Sequence, residues 1–407
     1  MTVSQRFAAQ GGLESATATG RVDSLTGIRA VAALLVVLTH AAYTTGKYPQ
    51  GYVGLVYSRA EIGVPIFFVL SGFLLFAPWV KAAAQADGRR RPDSEADGRR
   101  RPDSEAAAPP SLRRYAWHRV RRIMPAYAVT VVVAYLLYHF RMAGPNPGHT
   151  WEGLFRNLTL TQIYTDDYMY SFLHQGLTQM WSLAVEVAFY VALPFMAYLL
   201  MVLLCRRRWR PGRLLAGLGV LALVSPAWLI LVHTTEWLPD GARLWLPSYL
   251  TWFVGGMVLA VLQPLGVRVY AVACVPLAVV SYFIVSTPIA GEPTTSPAGL
   301  REALIKTAFY AAIATLVVAP LALRGHRGVG GQPNGLYARV MSSRPMVFLG
   351  EISYEIFLIH LITMELVMVE VVHQPIYTGS VWLLFAGTLV VTIPLAWLLH
   401  RLTRVRS

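Results

Sequence analysis

Arg29 and His40 stand eleven residues apart in the segment LTGIRAVAALLVVLTH. On a helix, eleven residues at 100° each close to within about 20° of three full turns, so the two side chains share a face about 16 Å apart. An arginine is a permanent cation whose N–H fork matches a phosphate. A histidine takes up and returns a proton near neutral pH. The pair suits an elongated amphiphile with phosphates at one end and a reactive group at the other, the shape of an acyl-coenzyme A. Arg119 and Arg122 in RVRRIMPAY are three residues apart and also share a helix face. They either grip phosphate or simply flank a membrane helix with positive charge. Glu186 in QMWSLAVEVAFY offers a carboxylate that orients an imidazole or accepts its proton. Trp181 and Ser71 are lower-ranked site-lining residues, Ser71 lying among Gly63 and Gly72, which also permit close helix packing. GEISYEIFLIHLITME adds Ser353, Tyr354 and His360 to that group, with His360 expected near the depth of His40.

The elements that carry these residues are apolar. The 407-residue chain is 55% hydrophobic and 14% charged, with a mean hydropathy of +0.49, whereas soluble domains are about 25% charged. That composition excludes an ordinary water-soluble enzyme. Apolar runs lie near 25–45, 61–80, 123–141, 178–204, 214–233, 244–262, 269–287, 303–323, 346–371 and 380–400. Since about 20 apolar residues cross the hydrocarbon layer, the expected fold is all-α, a polytopic membrane helix bundle of about ten transmembrane helices. An ionisable group in such a helix costs roughly 2.5–3.5 kcal/mol and marks a functional site. No signal-peptide pattern precedes the first run, which is expected to stay in the membrane.

Charge placement sets the orientation. Of the 35 basic residues, 27 fall in segments 1–24, 81–122, 205–213, 263–268, 324–344 and 401–407, which lie on one side if helices alternate. Basic residues accumulate on the cytoplasmic side, so both termini are expected there. The net charge of +14 is then a topology signal, and no nucleic-acid partner is expected. The expected organisation is a tail at 1–24, a membrane domain at 25–400 and a tail at 401–407. An insert at 82–110 holds ADGRRRPDSE twice in tandem, a polar, net-neutral composition expected to be disordered. The segment 142–177 is rich in aromatic residues, as in a folded cap or an interfacial belt. Cys205 and Cys274 support neither a disulfide framework nor a metal site, and no metal is expected. All but three basic residues are arginine against an Ala-rich background, which points to a GC-rich bacterial source.

Taken in order, LTGIRAVAALLVVLTH, GVPIFFVLSGFLLF, RxxR at Arg119 and Arg122, WSLAVEVAFY and GEISYEIFLIH resemble the acyltransferase 3 family of integral-membrane O-acyltransferases over roughly residues 20–400. The resemblance implies an enzyme of the bacterial cytoplasmic membrane. It would move an acetyl or other short acyl group from acyl-CoA, with acetyl-CoA first in line, to a hydroxyl of a sugar, glycan, glycolipid or glycosylated natural product such as a macrolide. It also implies His40 as the catalytic candidate, Glu186 as the acid of the fourth-helix motif, and Arg29, Arg119 and Arg122 as donor-binding residues. Glu351 departs from the basic or neutral residue expected in the ninth-helix motif. Some relatives carry a further hydrolase-like domain, and the expectation here is a membrane domain acting alone. Two courses stay open, direct transfer with His40 as base and an acyl-histidine intermediate. The rival class is a glycolipid or small-molecule transporter or flippase, which also buries ionisable residues.

Overall fold

A computed structural model describes residues 3–88, 111–141, 145–292, 299–323 and 335–404, and these form helices with no β-strand among them. In chain order the α-helices are α1 (Val3–Thr44), α2 (Gly51–Ser58), α3 (Gly63–Gly88), α4 (Leu112–Phe140), α5 (Trp151–Leu158), α6 (Met180–Tyr198), α7 (Pro211–Ala222) and α8 (Val224–Thr234). They continue as α9 (Leu246–Leu262), α10 (Ala271–Val285), α11 (Leu300–Ala322), α12 (Gly335–Met341), α13 (Arg344–Glu351), α14 (Ser353–Leu366) and α15 (Val381–Thr403). Among the described residues eight helical segments are long and apolar enough to cross a membrane, and α13 with α14 makes a ninth if the bent pair is one span. The fold is thus a polytopic helical membrane bundle.

The expected count of ten changes in two places. The run at 346–371 is bent by 71° between α13 and α14, where Ser353 Oγ donates to the Gly350 carbonyl at 2.8 Å instead of leaving it to the helix ladder. The run at 269–287 yields α10, whose 15 residues extend about 22 Å at 1.5 Å per residue. That is less than the ~30 Å hydrocarbon thickness. The expected insert begins inside α3, which runs on to Gly88; residues 89–110, with most of the duplicated sequence, lie outside the described residues.

Prolines interrupt several spans, and each removes an N–H from the ladder. In two of these a side chain from a neighbouring helix bonds the freed carbonyl, as membrane-embedded backbone favours. Pro226 leaves the Ala222 carbonyl without its usual donor, the chain breaks between α7 and α8, and Thr251 Oγ1 donates to that oxygen at 2.7 Å. Pro194 likewise frees the Tyr190 carbonyl, which accepts from the Tyr115 hydroxyl at 3.1 Å.

The most extensive helix packing joins α3 to α9. Small residues make it possible: a Cβ on Gly72 would run into the Phe253 carbonyl, and one on Gly256 into the Val69 carbonyl. Gly63 meets the Ala32 carbonyl of α1 in the same way, so α1, α3 and α9 approach backbone to backbone. Phe68, Phe189 and Phe253 stack in the space between α3, α6 and α9. The outward faces are apolar and exposed, including Val132 and Leu136 on α4, Val191 and Phe195 on α6, and Val390 on α15, as a lipid-facing perimeter must be. Segment 145–177 is folded over one end of the bundle, with Trp151 and Phe155 exposed and Tyr168 buried.

Candidate functional site

A cavity opens between α1, α3, α4, α6 and α14. Arg29 of α1 and Arg119 and Arg122 of α4 line it, together with Ser71, Glu186, Tyr190, Ser353 and Tyr354. The sequence explains the convergence. One turn of α4 separates Arg119 from Arg122, and one turn of α6 separates Glu186 from Tyr190, so each helix offers two polar groups to the same space. Tyr354 reaches across it and donates to the Ile123 carbonyl of α4 at 3.0 Å.

The charge balance in this cavity is unusual. Arg29 lies within electrostatic reach of both Arg122 and Arg119, with Glu186 the nearby carboxylate. None of the three arginines forms an ion pair among the described residues. The Arg119 Nε is buried without a hydrogen-bond partner among the described residues, while its guanidinium sits 5.9 Å from the centre of the Tyr190 ring. Glu186 is already occupied: it accepts from the Ser71 hydroxyl and, at 2.6 Å, from the Tyr190 hydroxyl. Arg122 is exposed and Arg119 and Arg29 are half-buried, so the positive charge runs from a mouth into the interior. Guanidinium groups crowded in this way could hold an anion that brings several oxygens.

At the inner end the walls turn aromatic, with Phe67, Phe68 and Phe357. The Phe357 ring lies 6.0 Å from that of His360. His40 and His360 stand behind this wall and do not themselves line the cavity. Their ring nitrogens meet, His360 Nε2 to His40 Nδ1, at 3.1 Å. The backbone fixes which nitrogens carry protons. His360 Nδ1 lies 2.8 Å from the Phe357 carbonyl and His40 Nδ1 lies 2.8 Å from the Val36 carbonyl; carbonyls only accept, so both Nδ1 atoms donate. The single Nδ1–H of His40 is therefore shared between the Val36 carbonyl and His360 Nε2, and the lone pair of His40 points from Nε2, which has no partner among the described residues.

The sequence-derived residues therefore fall into two groups. Arg29, Arg119, Arg122, Ser71, Glu186, Ser353 and Tyr354 share the cavity, and His40 with His360 forms the adjoining pair. The hydrogen bond expected between Glu186 and His40 is not made; the carboxylate is held by Ser71 and Tyr190, and the side chain that meets the His40 ring is His360. Trp181 lies outside the cavity, its ring 5.1 Å from that of Tyr249. Tyr190 and Phe357 were missed by the sequence reading. Tyr190 had a usable signal, since it follows Glu186 by four residues on one helix face.

Similarity to known proteins bears on this arrangement. Acyltransferase MdmB of Streptomyces mycarofaciens is 27% identical over 258 residues, covering 61% of this chain and 59% of its own. Peptidoglycan O-acetyltransferase OatA of Listeria monocytogenes serovar 1/2a (strain ATCC BAA-679 / EGD-e) is 25% identical over 386 residues, covering 88% of this chain and 52% of its own. The chain thus spans between half and three fifths of the length of these two relatives. No solved structure matches the chain. The family model described as an acyltransferase domain matches residues 22–401, a stretch that contains the cavity, the histidine pair and every helix that frames them, and the chain belongs to that acyltransferase family.

Proposed function

We propose that the protein is an acyl-CoA-dependent O-acyltransferase of a bacterial cytoplasmic membrane, with residues 25–400 as its membrane domain and residues 1–24 and 401–407 on the cytoplasmic side. The observation that carries the donor is the trio Arg29, Arg119 and Arg122, three like charges in one cavity with no ion pair among the described residues. Coenzyme A phosphates would neutralise them, and the ~16 Å along α1 from Arg29 to His40 is the space in which the pantetheine arm carries the thioester past Phe67 and Phe357. Acetyl is the first acyl group to test, because one relative is an O-acetyltransferase.

In the proposed reaction, His40 Nε2 takes the proton of an acceptor hydroxyl as that oxygen attacks the thioester carbonyl. The C–S bond then breaks, the coenzyme A sulfur leaves as thiolate and recovers the proton from His40, and the acyl ester departs on the acceptor. The Val36 carbonyl and His360 together hold the His40 ring in the tautomer this requires, and His360 shares the charge that forms on it. Glu186 keeps Tyr190 and Ser71 in place beside the guanidinium groups. The acceptor is a hydroxyl on a glycan, glycolipid or glycosylated natural product, the class to which the peptidoglycan-modifying relative points.

The test uses full-length protein in lipid nanodiscs with acetyl-CoA and a panel of hydroxylated glycans and macrolides. Thiol release and ester product are expected in wild type and absent in His40→Ala, with donor binding retained. Full turnover by a folded His40→Ala protein overturns the role of His40. An acetylated histidine trapped before acceptor is added would replace direct transfer by the two-step course.

A further inference from the structure

Ser353, Phe357 and His360 follow one another along one face of α14, at spacings of four and three residues. Ser353 lines the donor cavity and His360 bonds His40, and Phe357 stands between them, also lining the cavity. At 1.5 Å per residue, Phe357 lies about 6 Å along the axis from Ser353 and about 4.5 Å from His360. On α3 the same pattern runs through Ser71, Phe67 and Val64, all of which line the cavity. The donor cavity therefore ends in a phenyl wall, one helical turn of α14 short of His360.

This wall is held from behind. The Phe357 carbonyl accepts from His360 Nδ1 at 2.8 Å and from Gln179 Nε2 at 3.3 Å, and the same Gln179 nitrogen donates to the Leu358 carbonyl at 2.9 Å. Gln179 is buried and precedes α6 by one residue, so these bonds tie the turn that carries Phe357 to the start of α6. The Phe357 and His360 ring centres are 6.0 Å apart, within the range of touching rings, and no further carbon chain fits between them. On the α3 side, Phe68 is stacked on Phe253 at 4.3 Å and Phe253 on Phe189 at 4.0 Å. Close-packed rings yield little to a guest. Core filling explains the bulk of the Phe357 side chain, which is buried, but not its place at the boundary between the donor cavity and the histidine pair.

Resting on the acyl-transfer reading, we propose that Phe357 sets the acyl length, restricting the donor to acetyl or a similarly short acyl group by closing the space beyond the thioester. The acyl group of a bound donor leads the pantetheine arm toward this wall. A two-carbon group ends at the Phe357 ring, whereas a six-carbon group has to displace it. The Gln179 bonds keep the turn beneath the ring from receding, so the limit is set by the ring itself.

The test is isothermal titration of the full-length protein in lipid nanodiscs with CoA, acetyl-CoA and hexanoyl-CoA, each also titrated into empty nanodiscs to measure partition into lipid. Free CoA ends at the thiol, and its affinity for each sample is the reference that owes nothing to the acyl group. Wild type is expected to bind acetyl-CoA within threefold of CoA and hexanoyl-CoA at least tenfold more weakly, since an apolar pocket discriminates by about 10- to 200-fold per methylene. In Phe357→Ala the affinity for hexanoyl-CoA relative to CoA should rise at least tenfold. Phe357→Leu removes less of the core and should shift the ratio in the same direction, so the inference stays testable if the alanine variant does not fold. Wild type that binds hexanoyl-CoA as tightly as acetyl-CoA, or variants that still bind CoA but keep the wild-type ratio within twofold, overturns the role of Phe357. Wild type that binds none of the three overturns the acyl-transfer reading itself, so the two failures are distinct.

Discussion

Removing one guanidinium from the cavity should have two effects of opposite sign. Arg119→Gln deletes a half-buried cation whose Nε is sealed from any partner among the described residues, so in the complex that donor has only the ligand to bond. A hydrogen bond to a charged group contributes about 1.5–3 kcal/mol, which corresponds to about a 10- to 150-fold weaker donor affinity. Burial places Arg119 toward the upper end of that range. Arg122 is exposed at the mouth, where solvent screens it, and Arg122→Gln belongs near tenfold. The free protein should respond the other way. Like charges sharing one cavity repel, so relieving the crowding should leave the unliganded variants as stable as wild type or more so. Isothermal titration with acetyl-CoA and thermal unfolding of the same nanodisc samples measure both. Donor affinity within twofold of wild type in a stable Arg119→Gln variant would refute an anion site here, and loss of stability in the unliganded variants would refute the uncompensated charge.

Further outcomes follow from other contacts. His360→Leu removes one of the two acceptors that share His40 Nδ1–H, leaving the Val36 carbonyl, and should lower kcat about 2- to 10-fold, the worth of one hydrogen bond, with donor KM unchanged, while His360→Gln, which keeps an acceptor atom, should recover part of the loss in a steady-state assay; equal rates in both would exclude an orienting role. Gly256→Val places carbon against the Val69 carbonyl and Phe73 amide, an overpacking that costs about 1–3 kcal/mol, and should lower the melting temperature. At the folded-over end of the bundle, burial and then the neighbouring His149 hold the His174 imidazole down at about 3. Below the unfolded value near 6.5 the unfolded chain binds the proton and the folded chain does not, so stability should fall as pH drops from 6.5, by up to about 1.4 kcal/mol per pH unit. The slope of melting temperature between pH 7.5 and 5 should flatten in His174→Asn, and an unchanged slope would exclude this histidine as the cause.

Periodicity and hydropathy made the bundle legible, because lipid leaves helices as the compact way for this chain to satisfy its backbone. The breaks were less legible. Pro226 signals a break at α7–α8, but that Thr251 would cover the freed Ala222 carbonyl depends on the distant placement of α9. Similarly, the bend at Ile352 follows from Ser353 bonding Gly350, a competition between side chain and ladder that hydropathy does not register. In the site, helical spacing brought Arg119 beside Arg122 and placed Arg29 on the face of His40. What spacing within one helix cannot give is a partner across helices. Equal depth suggested Glu186 as the neighbour of His40, yet rotation of α6 turns that carboxylate to Ser71 and Tyr190, and α14 supplies His360.

The most direct measurement is an electron cryomicroscopy structure of the full-length protein in nanodiscs with a thioether analogue of acetyl-CoA that cannot transfer its acyl group. The phosphates are expected against Arg29, Arg119 and Arg122, and the carbonyl carbon that replaces the thioester within about 4 Å of an oxygen site beside His40 Nε2, near-attack range for the reacting atoms. Coenzyme A density elsewhere on the bundle, or in the cavity with its acyl end pointing away from His40, would contradict the assignment of both the donor site and the base.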